Sequence, residues 1–404
     1  MNSATYVVST MDSKGVEIAF VANALKMAGV IVKMVDVGTL GPPMITPDIS
    51  REELLHARYG QSFILNSIDR GTAISEMAEA LRAFLVNECT AGRVQGVIGL
   101  GGSGGTSLIT TAMRALPIGL PKLMVSTVAS GNVAPYVDCS DITMMYSVVD
   151  IAGLNAVSEV ILGNAAAAMA GMVKQPLHKR SSRRALGMTM FGVTTPCVTR
   201  VREQLESEGF DCLVFHATGA GGRAMEQLVA SGLISGVLDI TTTEVADELV
   251  GGVFPAGPHR FEKLIQSRVP LVLSLGALDM VNFGAFDTVP PQFHDRKFHK
   301  HNAQVTLMRT NVDENRRMGA WIAEKLNQST APVRILIPEK GVSLIDLPGQ
   351  PFYDPEADNA LFDSLEKGLK VTPDRQLIRL PYDINAPEFA DALLKNFHEL
   401  LTLA

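Results

Sequence analysis

The chain has 404 residues, 47% of them hydrophobic and 19% charged, with 35 glycines and a single tryptophan. That length predicts two domains, each large enough to bury its own core. A net charge of −7 and a pI of about 5.7 exclude a broad nucleic-acid-binding face.

From the N-terminus, TYVVST reads as a strand, VEIAFVANALKMAG as a helix ending at Gly29, and VIVKMVDVG as the next strand. MNSATYVVST lacks the basic start and apolar core of a signal peptide, so a cytoplasmic location is expected. SREELLHARYG carries a capping box, with Ser50 and Glu53 spaced to satisfy each other's backbone donors. AISEMAEALRAFLVNECTAG predicts a longer helix, and GVIGL a strand. This alternation predicts a parallel sheet covered on both faces. AAAAMAGMV is too short for a membrane span, and no longer uninterrupted apolar run is present.

KQPLHKRSSRR is basic and holds Pro176, which predicts a linker over 175–184 between domains 1–174 and 185–404. After it the pattern restarts. YVVSTMDSKGVEIAFVANALKMAGVIVKMVDVG parallels MTMFGVTTPCVTRVREQLESEGFDCLVFHATG, strand for strand and glycine for glycine. RGTAISEMAEA parallels GGRAMEQLVAS, GVIGLGGSGGT parallels GVLDITTTEVA, and PKLMVSTVASGN parallels PLVLSLGALDMVN. The chain therefore reads as two diverged copies of one α/β unit, with a ligand cleft expected between their strand-end loops. In the tail, VRILIP and QLIRLP read as strands, and EADNALFDSLEKGLK and PEFADALLKNFHELLTL as amphipathic helices. Between them EKGVSLIDLPGQPFYDPEAD is a long loop, a length often tied to function. The four cysteines (Cys89, Cys139, Cys197 and Cys212) form no CxxC pair or zinc-finger spacing and read as buried reduced thiols.

The motif richest in chemistry is GLGGSGGT. Glycines after a strand let backbone N–H groups converge, and a helix start adds partial positive charge, which suits phosphate or carboxylate. Gly99, Gly101 and Gly104 formally fit a dinucleotide fingerprint, but the next strand ends in Ser126 and Thr127 instead of an acidic residue, and no P-loop run exists. STMDSKGVE places Asp12, Lys14 and Glu17 after the first strand. Asp12 or Ser13 could cap a helix, with Lys14 a solvated side chain. Alternatively Lys14 pairs with a phosphate while Asp12 or Glu17 orients it or holds Mg²⁺. Asp69, Arg70, Thr127 and Ser130 add polar groups at further loop ends, and Asp141 reads as a turn cap.

In the second copy, HATGAGGRAME offers an anion-binding nest at Gly219, Gly221 and Gly222, with His216 and Arg223 beside it. Thr241 and Glu244 have capping-box spacing. Asp279 and Asn282 follow a strand, and FHDRKFHKHN holds His294, His299 and His301, an H-x-H pair suited to zinc or proton transfer. No G-x-S-x-G elbow stands out. Ser103 within GGSGG could act as a nucleophile with His216 or His299 as its base.

At these motifs, together with SDITMMYSVVDIAGLN, TLMRTNVDEN and KGVSLIDLPGQPFYDPEAD, the chain resembles the Tm-1-like ATP-binding family, also described as UPF0261. The resemblance spans nearly the whole chain. It implies two Rossmann-like domains, an ATP site mainly in the first, and a homodimer. By motif position it assigns Asp12, Lys14, Glu17, Gly101, Gly102, Ser103, Gly104, Gly105, Thr127, Ser130 and Gly131 to ATP, with Mg²⁺ left open. Longer plant members carry a further barrel-like domain that this chain stops short of. The second copy's His216, Arg223, Glu244, Asp279, His299 and His301 suggest a small acidic metabolite opposite the nucleotide. Three readings remain: an ATP-dependent kinase or ligase, a non-catalytic nucleotide-dependent regulator, and a hydrolase or lyase of an oxo- or phospho-acid.

Overall fold

A computed structural model of the chain describes residues 3–61, 69–175 and 183–403. It divides into two compact units, Met1–Arg180 and Ser181–Ala404. Most of the expected linker lies at 176–182, outside the described residues.

The first unit runs β1 (Ala4–Ser9), α1 (Gly15–Met27), β2 (Val32–Asp36), α2 (Arg51–Tyr59), α3 (Arg70–Thr90), β3 (Val94–Gly101), α4 (Ser103–Arg114), β4 (Lys122–Ser126), α5 (Ala134–Val137), β5 (Thr143–Tyr146) and α6 (Ala156–Lys174). Its sheet has the order β2-β1-β3-β4-β5, with every pair parallel. Strand side chains alternate between faces, so neighbours in β1 enter different cores. Tyr6 and Val8 pack with Met77 and Leu81 of α3 and Ile109 of α4. Val7 packs with Ile18 and Val21 of α1 and Leu162 of α6. The Ser50–Glu53 capping box forms as expected and starts α2. Asp69 caps α3 through the Gly71 and Thr72 amides.

Helix α6 departs from the sequence reading. Unbroken over Ala156–Lys174, it is long and apolar enough to cross a membrane by length and composition. Its Leu162, Ala165, Met169 and Ala170 side nevertheless lies in the core beneath β3 and β4.

The second unit runs β6 (Ala185–Met190), α7 (Thr195–Ser207), β7 (Asp211–His216), α8 (Ala220–Ala230), β8 (Val237–Thr241), α9 (Glu244–Val250), α10 (Glu262–Ser267) and β9 (Leu271–Gly276). It continues with β10 (Met280–Phe283), β11 (Phe298–Asn302), β12 (Val305–Arg309), α11 (Val312–Leu326), β13 (Val333–Pro338), α12 (Pro355–Gly368), β14 (Arg375–Leu380) and α13 (Pro387–Leu403). The main sheet is parallel, in the order β14-β13-β9-β8-β6-β7. Read from β7, this repeats the first unit: the second strand at the edge, then first, third and fourth. The two-copy reading is thus visible in topology.

One element is new. β10, β12 and β11 form a separate antiparallel sheet between β9 and α11. β11 is FHKHN, with no apolar alternation, so nothing in its sequence announces a strand. The long loop before α12 is also more interior than expected, with Phe352 fully buried and its carbonyl accepting from Arg309 Nε at 2.6 Å. Among the cysteines only Cys197 is fully buried, where burial raises its thiol to about 12; Cys89, Cys139 and Cys212 are half-buried.

Candidate functional site

In the first unit the chain leaves β1 toward β2 on one side and returns to β3 on the other. Open α/β sheets bind ligands at this reversal, outside the carboxyl ends of the strands. There a cavity of about 220 Å³ opens. The β1–α1 loop lines it with Thr10, Asp12, Ser13 and Lys14, and the segment after β2 with Thr39 and Leu40. Gly102 through Gly105, at the start of α4, complete it with Arg70 and Ile74 of α3 and Leu108 of α4.

Each wall has a local cause. Thr10 O accepts from Ser13 N at 3.1 Å and Lys14 N at 2.9 Å, closing a turn that launches α1. Asp36 Oδ1 accepts from Met11 N at 3.0 Å and Gly38 N at 2.8 Å, tying that turn to the end of β2. Burial pushes the Asp36 carboxyl above its ordinary value. Asp12 Oδ2 accepts from Leu40 N at 2.9 Å and Gly41 N at 3.3 Å, so this side chain also shapes the cavity wall. Lys14 Nζ donates to Ile151 O at 2.5 Å, holding the ammonium in place. On the glycine side, a Cβ on Gly101 would come to 3.0 Å from the Gly105 and Thr106 backbone, so a side chain there would crowd the turn. At Gly102 and Gly104 the nearest atoms to a Cβ are Thr127 Oγ1 at 3.8 Å and Ile74 Cδ1 at 3.4 Å. Those two glycines keep space empty in front of the α4 amides.

The second unit has the same reversal between β6 and β8; its glycine nest, at the start of α8 after β7, is filled from within by a carboxylate that follows β8. Glu244, the first residue of α9, extends its Oε1 to Gly219 N at 2.7 Å and Gly222 N at 3.0 Å. Its Oε2 accepts from Arg260 Nε at 3.0 Å. Arg260 also reaches Glu226 and Asp239, each at 2.8 Å, in a cluster whose side chains are all at most 4% exposed. Burial raises the Glu226 and Glu244 carboxyls, while three surrounding carboxylates hold the Arg260 guanidinium firmly charged. A Cβ on Gly222 would fall 2.1 Å from Glu244 Oε2. Carboxylate and glycine are thus fitted to each other.

The Uncharacterised protein family (UPF0261) N-terminal domain matches residues 3–178, and the C-terminal domain of that family matches residues 183–401. The chain belongs to UPF0261. It is 52% identical to a UPF0261 protein of Rhizobium meliloti, over 98% of both chains. A UPF0261 protein of Clostridium tetani is 47% identical over 99% of this chain and 100% of its own. The "ToMV resistance protein Tm-1(GCR237)" of Solanum lycopersicum is 54% identical, over 82% of this chain but only 45% of that longer protein.

Within this UPF0261 chain, the cavity of the first unit gathers Asp12, Lys14, Gly102, Ser103, Gly104 and Gly105 from the residues singled out in the sequence. Gly101 supports the turn, and Thr127 stands beside Gly102. Glu17 is buried, its Oε1 accepting from Gly153 N at 2.5 Å, and does not line the cavity. Ser130 and Gly131 lie in an exposed turn, also outside it. Among the described residues no histidine lines the cavity that holds Ser103, so neither His216 nor His299 stands there as its base.

The six residues singled out in the second unit are dispersed. His216 and His301 share a cavity of about 240 Å³. Arg223 donates to Pro255 O at 3.0 Å, and the His299 ring packs against Phe352. Asp279 is fully buried and accepts from Ser343 Oγ at 2.7 Å, beside the Arg309–Asp346–Asp358 cluster. There burial raises the carboxyls of both Asp279 and Asp346 above their ordinary values. Glu244 does not form a capping box with Thr241: Thr243 precedes α9, and Thr241 is spent on Thr194 and Thr189 inside the sheet. Asp141 caps the Gly119 amide at 2.7 Å, as expected, and also pairs with buried Lys122 at 2.6 Å. Among the described residues no group of three His, Cys, Asp or Glu could hold a metal ion, the H-x-H pair included.

Sequence reasoning missed Thr10, Thr39 and the lining role of Arg70, whose approach depends on folding. It also missed Arg260, which carries no local signal because its partners lie 16 to 34 residues away.

Proposed function

We propose that the first unit binds ATP through its phosphate groups. The observation that carries this reading is an empty glycine cradle facing an ammonium and a guanidinium, at the strand reversal where such sheets hold ligands. Lys14 and Arg70 would neutralise phosphate oxygens, and the α4 amides behind Gly102–Gly105 would donate to them. At about 220 Å³ the cavity is smaller than the roughly 300 Å³ at which pockets for drug-sized ligands begin. It suits a phosphate end, with the nucleoside extending outward past Leu40 and Ile74. A Mg²⁺ ion would arrive with the triphosphate, with Asp12 on the same wall. In the second unit the glycine nest starts the helix after the second strand, not the third, and is satisfied by the chain's own carboxylate.

The geometry supports a binding and sensing role better than a catalytic set spread over His216, Arg223, Glu244, Asp279, His299 and His301, since most of those side chains are committed to internal partners. The test is calorimetric titration with ATP, ADP and inorganic phosphate, with and without Mg²⁺, on the unaltered chain and on Lys14→Ala, Arg70→Ala and Gly104→Val. Saturable ATP binding, weakened at least about tenfold by each change in folded protein, is expected. A folded chain that binds no ATP, or variants that bind as the unaltered chain does, would overturn the reading.

A further inference from the structure

The cavity shared by His216 and His301 is unlike the first. Its floor is apolar, built from buried Phe191, Val193 and Leu307 with Val305 and Phe254 beside them. Among the described residues no Lys, Arg, Asp or Glu lines it. The main chain of these walls is already committed. Val193 O accepts from Leu344 N at 3.0 Å and from Asn385 Nδ2 at 3.1 Å. Phe191 N donates to Thr194 Oγ1 at 3.2 Å, and Phe254 N to Asp247 Oδ2 at 2.9 Å. Asn302 Oδ1 accepts from Gln304 N at 2.8 Å.

The polar side chains that remain are the imidazoles of His216 and His301 at the rim, the Thr218 hydroxyl, which donates to His216 O at 3.4 Å, and the Asn302 amide nitrogen. Among the described residues neither ring of His216 nor of His301 has a hydrogen-bond partner, and Phe191 packs edge-on against His216 at 5.2 Å. Partial burial against that ring lowers the His216 pKa, so the imidazole is neutral near pH 7 and offers one N–H and one lone pair. A rim with no Lys or Arg among the described residues is a poor receptor for a carboxylate or phosphate. It is a good one for a hydroxyl that can both donate and accept. The aromatic side chains of Phe191 and Phe254 beside an aliphatic floor favour an aromatic body.

We propose that the second unit carries a separate site for a small neutral aromatic alcohol, a phenol-like ligand whose ring rests on Phe191, Val193 and Leu307 while its hydroxyl bonds the imidazole of His216. This site shares no residue with the phosphate cavity and stands whether or not ATP binds there.

The experiment uses the full chain, with phenol as probe and toluene and benzoate as controls. Binding is followed by titration calorimetry and by the ring-nitrogen resonances of histidine. Phenol is expected to saturate, to perturb the His216 ring, and to bind about tenfold more tightly than toluene, the difference one hydrogen bond makes. His216→Ala should erase that preference and Val305→Trp, which fills the cavity, should remove binding. A crystal soaked with 4-bromophenol should show bromine against Leu307. Phenol that fails to saturate, that binds no better than toluene or benzoate, or that places its bromine elsewhere overturns the proposal.

Discussion

Replacing Glu244 by alanine tests whether the second glycine nest is an anion site filled from within. The change orphans the Gly219 and Gly222 amides, now donating at 2.7 and 3.0 Å, and removes one of three carboxylates around Arg260. Leaving a buried donor unsatisfied costs about 1–3 kcal/mol. Arg260 keeps Glu226 and Asp239, so the larger cost of stranding a buried charge is avoided. The expected loss is about 3 kcal/mol, or roughly 6–12 °C in the midpoint for a unit of this size. Calorimetric unfolding reads the loss, and hydrogen exchange in α8 and α9 assigns it to the second unit. Acetate should then enter the vacated nest. At ten times its dissociation constant it would restore about 1.4 kcal/mol to the variant and nothing comparable to the unaltered chain. Glu244→Gln keeps an oxygen for both amides but faces Arg260 with a second donor, which separates the two contributions. A loss below about 1 kcal/mol, or acetate acting equally on both proteins, would refute the reasoning.

The two glycine loops should respond oppositely to added bulk. Gly222→Ala drives a methyl to 2.1 Å from Glu244 Oε2 and should cost more than about 4 kcal/mol in chemical denaturation, whereas Gly104→Ala meets only Ile74 at 3.4 Å and should stay within about 1 kcal/mol. Burial raises Asp247 from 3.8 to about 7. The folded chain keeps a proton that the unfolded chain has released, so this stabilisation is full below about pH 4 and lost as pH rises through 7. Between pH 5 and 8 the thermal midpoint should therefore fall more steeply in the unaltered chain than in Asp247→Asn, and equal slopes would contradict the assignment. Asp141→Ala leaves Lys122, whose side chain is fully buried, with its 2.6 Å bond to Pro117 O but no carboxylate partner among the described residues. Because Asp141 is 38% exposed, a cost of about 2 kcal/mol is expected in urea unfolding, below that of a fully buried pair.

Much of the architecture was legible because burial writes itself into local periodicity. TYVVST alternates between two cores, and the capping box at Ser50 and Glu53 announces α2. The four landmarks of the repeat predicted a shared strand order, and both sheets have it. Misreadings arose where local pattern is weak or misleading. β11 is too polar to look like a strand, and Thr241–Glu244 has capping-box spacing yet begins its helix two residues later. The glycine loop and Lys14 were found from sequence because strand, turn and helix start are contiguous. Arg70 joins them only once α3 is laid beside α4.

The sequence by itself determined the α/β class, the duplicated plan, the family and the position of the first glycine loop, since each is encoded by neighbours along the chain. Tertiary structure decided which nest stays open. Gly102 and Gly104 leave the first empty, while Glu244 closes the second with Arg260, Glu226 and Asp239 gathered from four separate segments. Charge pairing depends on distance in space, and spacing along the chain carries almost no information about it.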